Sequence, residues 1–308
     1  MSVSSSGSAA YSGSLEGSNA QRGLWSSRLA FILAATGSAV GLGNIWKFPY
    51  VTGENGGGAF VLVYLLCIAI IGIPIMMAEV MIGRRGGHSP VNSIKAIAQR
   101  DGLNPAWKLV GAVGILAGFL ILSFYSVIGG WAISYVGTTA SGQLSGQTAD
   151  AVGAIFSGLL SNPGTLFFVL LIFAAWTSGI SLLEPIVEWL EEQKGMNRTV
   201  STLAAGVVCW ALGIASILSL NLWADFAPLG FIPMLEGKTI FDLLDFFTAN
   251  ILLPLGGLLV ALMAGWVMSK PAMEKELALS PGTFNLWFVT VRFITPIAVG
   301  VVFIYNLM

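Results

Sequence analysis

The run Gly37-Ser38-Ala39-Val40-Gly41-Leu42-Gly43-Asn44-Ile45-Trp46-Lys47-Phe48-Pro49 lies at the end of the first strongly apolar stretch of the chain. Gly41 and Gly43 weaken a helix at mid-membrane. Unwound backbone at that depth is tolerated only where protein or a cavity surrounds it. Such a break frees carbonyls that can coordinate a cation. It also frees N–H groups at the start of a half-helix, which can hold a carboxylate. Asn44 adds a polar side chain inside the membrane, and Lys47 places a cation one turn further out. The competing reading is close packing, because Gly37 and Gly41 also make a small-xxx-small face. For a bare pair of glycines packing ranks first; Asn44 and Lys47 reverse that order.

Other polar groups stand in apolar surroundings. Tyr125, in Ser123-Phe124-Tyr125-Ser126, reads either as a ligand contact or as packing with an incidental hydrogen bond. Glu79 and Arg292 are expensive at membrane depth unless paired; Arg292 faces the bundle or snorkels. Cys67 and Cys209 fall in apolar runs and read as small buried hydrophobes. The single histidine, His88, reads as a solvated loop residue. There is no nucleophile–His–acid set, phosphate loop or metal cluster, so an enzyme reading finds no support.

The elements that must position these groups are membrane spans. Of 308 residues, 56% are hydrophobic and 9% charged, with mean hydropathy +0.83, whereas a soluble domain carries about 25% charged residues. A net charge of −1 gives no sign of nucleic-acid binding. Seven stretches reach the roughly 20 apolar residues a spanning helix needs: 24–47, 57–83, 107–136, 164–190, 199–221, 240–268 and 284–307. Residues 1–21 are rich in Ser, Gly and Ala and lack a signal-peptide pattern; they read as a disordered cytoplasmic tail. Arg22, Arg28, Arg84, Arg85, Lys95, Arg100, Lys108, Lys194, Arg198, Lys270 and Lys275 all fall on one side if the N-terminus is cytoplasmic. The opposite loops, 137–163 and 222–239, hold only Lys238. The reading is a multi-pass protein of the cell (inner) membrane, N-terminus in and C-terminus out.

Arg22-Gly-Leu-Trp25-Ser-Ser-Arg28, the run GSAVGLGNIWKFPY, Glu54-Asn55-Gly56-Gly57-Gly58-Ala59-Phe60, Gly72-Ile73-Pro74, Glu79 and Gly83-Arg84 follow one another over residues 22–95. This sequence resembles the opening of a bacterial neurotransmitter:sodium symporter. The resemblance implies an all-α integral membrane protein with a partial inverted-repeat transporter fold, about seven transmembrane helices and a broken first helix. It also implies sodium-driven inward movement of an amino acid or related amine, with Na+ the transported ion and no organic cofactor.

The resemblance carries roles onto particular residues. One sodium site would take carbonyls of Gly37, Val40 and Ala174 with the hydroxyls of Thr177 and Ser178, a set of neutral oxygens suited to a hard cation. Alone, Thr177 and Ser178 read as hydroxyls bonded back to their own helix. A second sodium site would use Ala39 and the Asn44 side chain. Substrate would meet Ala39, the N–H groups of Leu42 and Gly43, and Tyr125. Lys47 and Asp245 match an outer charged gate, in which the family often has Arg where Lys47 stands, so bidentate geometry is lost. Arg22 and Trp25 with Glu192 match an inner latch. Either pair reads otherwise as a surface ion pair. Glu79 matches a family glutamate with a structural hydrogen-bonding role.

In this resemblance residues 22–136 correspond to spans 1–3 and 164–308 to spans 8–11, within one transmembrane domain from 22 to 308. Spans 4–7 have no counterpart. The expected function is sodium-coupled symport of an amino acid or related small amine, with a homo-oligomer as one way to restore the cavity. The alternative is a non-transporting remnant or scaffold subunit.

Overall fold

The structure, a computed structural model, describes residues 27, 29, 32, 35, 36, 39, 41, 43–162, 164 and 177–307. The chain divides into two compact units, Met1–Ala39 and Val40–Met308. In the first, described residues 29, 32, 35, 36 and 39 are helical. In the second, all regular structure among the described residues is helical.

A π-helical turn at Gly43–Lys47 leads into α1 (Phe48–Glu54). There follow α2 (Gly58–Gly86), α3 (Pro90–Arg100), α4 (Pro105–Ala140), α5 (Ala149–Leu160) and α6 (Thr177–Lys194). The remainder are α7 (Arg198–Ser219), α8 (Ile240–Val267), α9 (Lys270–Leu277) and α10 (Pro281–Leu307). Among the described residues, α2, α4, α7, α8 and α10 are the five helices long and apolar enough to cross a membrane. The expected spans 24–47 and 164–190 lie partly outside the described residues.

Local chemistry sets the helix ends. Gly87, at φ 67°, takes the left-handed conformation that ends α2. Ser89 and Pro90 then open α3. Asn197 caps α7 by accepting from the Val200 N–H at 2.8 Å. Thr239 and Asp242 form a capping box at the start of α8.

Two helices are loosened by proline and repaired by neighbours. Pro74 has no N–H, so the carbonyl of Ile70 loses its helical donor; the Thr295 hydroxyl of α10 donates to it at 3.5 Å. Pro296 likewise leaves the Arg292 carbonyl without a helical donor, and the Trp266 indole N–H of α8 supplies one at 2.8 Å. Both sites adjoin π-helical turns, Ile68–Gly72 and Thr290–Ile294. In hydrocarbon such repair is obligatory, because water cannot satisfy the freed group.

Two apolar clusters hold the second unit together. The first joins Met81 and Ile82 of α2, Ile97 of α3, Met263 of α8, Met273 of α9 and Trp287 of α10. The second joins Phe124, Val127 and Trp131 of α4 with Ile217 of α7 and Phe241 of α8. Helix α4 runs between them, from Val110 in the first cluster to Trp131 in the second, about 30 Å at 1.5 Å per residue. By contrast, only 6% of the most apolar 18-residue window of α2 is buried, so most of that stretch is not covered by the rest of the chain.

Candidate functional site

The site grows from the break that Gly41 and Gly43 predict. Gly41 lies in a bend, and the π-helical turn begins at Gly43. The Asn44 N–H donates to the Gly41 carbonyl at 3.0 Å, closing a tight turn between them. The exposed Asn44 is thereby held beside the break. Tyr125, midway along α4, reaches this backbone. A Cβ added at Gly41 would lie 2.2 Å from the Tyr125 hydroxyl oxygen. Glycine at 41 thus permits this close approach, and the hydroxyl sits against the loosened chain.

One turn beyond, Lys47 Nζ lies 2.9 and 3.1 Å from the two carboxylate oxygens of Asp245. The two are 198 residues apart in sequence. Asp245 is placed by the capping box at the start of α8 and by the Phe241 contacts with Phe124 and Trp131. A single ammonium between both oxygens replaces the parallel fork that Arg would make. The side chains are 44% and 33% exposed, so the attraction is screened and easily broken. Asp245 also lines an open cleft of about 370 Å³ with Glu236, Lys238, Asp242, Phe246 and Asn250.

Glu192, at the end of α6, is engaged at the start of α3. It accepts from the Ser89 N–H at 3.1 and 3.2 Å, from the Ser89 hydroxyl, and from Asn92 Nδ2 at 2.6 Å. His88 Nδ1 lies 3.4 Å away. Burial pushes the Glu192 carboxyl up, but the Ser89 and Asn92 hydrogen bonds and the His88 charge outweigh it and hold the carboxyl below its ordinary value. A carboxylate at a helix N-terminus also meets the positive end of the helix dipole.

The structure therefore brings together Gly41 with Tyr125, and Lys47 with Asp245. Arg22, Trp25, Gly37, Val40, Leu42 and Ala174 lie outside the described residues, so the latch and both sodium sets are not described as sites. Ala39 is in the first unit. Thr177 and Ser178 open α6, and their side chains are outside the description. Glu79 is exposed on α2. Sequence reasoning missed the role of Ser89 and Asn92. The signal was present, since Ser89-Pro90 marks a helix start whose free N–H groups need an acceptor.

Among the described residues, five apolar helices of spanning length, with a charged pair beyond the bend at Gly41, have the architecture of a membrane transporter. The Sodium:neurotransmitter symporter family matches residues 22–153. An uncharacterized sodium-dependent transporter, YhdH of Bacillus subtilis (strain 168), is 46% identical over 153 residues, which is 50% of this chain and 33% of that protein. The sodium- and chloride-dependent glycine transporter 2 of Xenopus laevis is 41% identical over 118 residues, 38% of this chain and 14% of that one. The crystal structure of MhsT in complex with L-phenylalanine superposes with a TM-score of 0.81 at 28% identity, covering 92% of this chain and 100% of that chain. Residues 22–153 are thus similar to the sodium:neurotransmitter symporter family, and the described fold is similar to that of MhsT. The chain's matches span about a third or less of the curated relatives' length, 33% of YhdH and 14% of the glycine transporter. These relatives are transporters rather than enzymes.

Proposed function

We propose that this chain is a sodium-coupled symporter of an amino acid or related small amine. The observation that carries the reading is the Tyr125 hydroxyl against the interrupted backbone at Gly41, with the Lys47–Asp245 pair one turn beyond. Backbone N–H groups of Leu42 and Gly43, with Ala39 and the Tyr125 hydroxyl, offer the chemistry for an amino-acid carboxylate. Sodium takes two sets of neutral oxygens: Gly37, Val40, Ala174, Thr177 and Ser178 in one, Ala39 and Asn44 in the other. Lys47–Asp245 acts as the outer gate, and Arg22 and Trp25 with Glu192 as the inner latch.

The same reading places the N-terminus in the cytoplasm and the C-terminus outside the cell membrane, with residues 22–136 as spans 1–3 and 164–308 as spans 8–11. A family member without spans 4–7 lacks one wall of the substrate pocket, which self-association would have to restore. The second reading, a non-transporting remnant or scaffold subunit, draws on the nearly bare surface of α2.

Sodium-gradient-driven uptake of radiolabelled amino acids into proteoliposomes, with potassium as control, separates the two. Uptake above control supports symport. Its absence in folded, inserted protein overturns it in favour of the remnant.

A further inference from the structure

Arg292 stands in α10, a helix of membrane-spanning length, and no carboxylate lies within ion-pair distance of it among the described residues. Its Nε is buried and has no hydrogen-bond partner. A guanidinium stays charged in a protein, so an uncompensated one in a span needs an anion from elsewhere.

The surroundings say which. The Arg292 guanidinium carbon lies 4.5 Å from the ring centre of Trp266, 5.5 Å from Phe293 and 5.6 Å from Phe288. Trp266 and Phe293 are 55% and 46% exposed, so the rings around the half-buried Arg292 reach the outer surface of the helix bundle. Lys270 Nζ lies 5.4 Å from the same Phe288 ring centre, which puts two cations around one ring. Lys270 also donates to Asn285 Oδ1 at 3.1 Å and lies 3.9 Å from Glu274 Oε1.

The depth is set by sequence position. Trp266 is the penultimate residue of α8, and its indole N–H is tied to the Arg292 backbone. The Gly265 backbone packs against the Cα of Arg292, where an added Cβ would come within 2.7 Å. Arg292 thus lies level with the last turn of α8 and its Trp, a residue type enriched at membrane interfaces, and one helical turn from Phe288, which Lys270 meets just past the end of that helix. Cations, exposed aromatic faces and interface depth occur together. A free inorganic anion would use the cations alone, whereas a phospholipid uses both features.

We propose that Arg292 and Lys270 hold the phosphate of an anionic membrane phospholipid, with Trp266 and Phe293 flanking its upper acyl region. The Arg292 fork makes paired hydrogen bonds to phosphate oxygens, Lys270 adds a second charge, and the rings exclude water from the contact.

The test is native mass spectrometry of the full chain challenged with equal phosphatidylglycerol and phosphatidylcholine. Wild type is expected to retain phosphatidylglycerol in excess, and each of Arg292→Gln and Lys270→Gln to reduce that excess by about five-fold. Arg292→Lys should keep part of it. Millimolar inorganic phosphate should not displace the lipid. Equal retention of the two lipids by wild type, or an undiminished excess in folded Arg292→Gln, overturns the proposal. Displacement by inorganic phosphate overturns it too, since the site would then be one for free phosphate. If Arg292→Gln fails to fold, the exposed Lys270→Gln variant decides, and an unchanged excess there rejects the site.

Discussion

The Tyr125 hydroxyl of α4 presses on the backbone at Gly41 so closely that no side chain fits between them. The turn at Gly41, closed by the Asn44 N–H, is therefore also braced from outside by a phenol.

Gly41→Ala should destabilise the protein by about 1–3 kcal/mol through this overpacking. Tyr125→Phe removes the oxygen that the new Cβ meets, so the double variant should recover part of the loss. Thermal unfolding of both singles and the double checks this, with a coupling of about 0.5–3 kcal/mol expected for residues in contact. Purely additive losses would mean that the hydroxyl does not hold the turn.

Breaking the Lys47–Asp245 pair should leave stability nearly unchanged, within about 1 kcal/mol, because both groups are partly exposed. Lys47→Ala and Asp245→Asn should instead alter uptake in proteoliposomes. Lys47→Arg should preserve uptake by restoring a fork to the carboxylate. A large fall in melting temperature with normal uptake would make the pair structural.

Glu192 gives a pH dependence of definite sign. Its carboxyl is held below the ordinary 4.5 in the folded protein. A group depressed on folding contributes stability above its unfolded value and loses it as pH falls through the folded one. Stability should accordingly drop below about pH 4.5, where the unfolded carboxyl titrates. Glu192→Gln should flatten this portion of the curve and cost about 1 kcal/mol at neutral pH, as loss of a helix cap does. Denaturation at several pH values reads both effects.

Thr177→Ala with Ser178→Ala should abolish sodium-dependent uptake and sodium-dependent protection against thermal unfolding. Protection that survives both substitutions would place the ion elsewhere.

Much of the architecture was legible in the chain because lipid imposes long apolar runs. The break at Gly41 and Gly43 was legible for the same reason, since glycine and Asn44 are conspicuous in such a run. That Lys47 meets Asp245, 198 residues away, could come only from resemblance; neither residue's surroundings specify the other. The expectation that Lys loses two-oxygen contact needs restating. One ammonium spans both oxygens, and what it lacks is the fixed plane of a guanidinium. Glu192 was read for a latch with Arg22 and Trp25, which lie outside the described residues; what the sequence did not suggest is its engagement with Ser89 and Asn92 at a helix start. Nor did the pattern reveal the aromatic cage of Arg292, because Trp266 and Phe288 come from different helices.

The proline repairs in α2 and α10 bear on how the chain is made. The carbonyl of Ile70 is answered by Thr295, 225 residues later, so α2 must enter the bilayer long before its donor has been synthesised. Until α10 arrives, that carbonyl needs a temporary partner: water, a lipid headgroup or the insertion machinery. Maturation of the second helix is thus tied to completion of the last, and a nascent chain arrested before Pro281 should expose α2 to proteases that spare the finished protein.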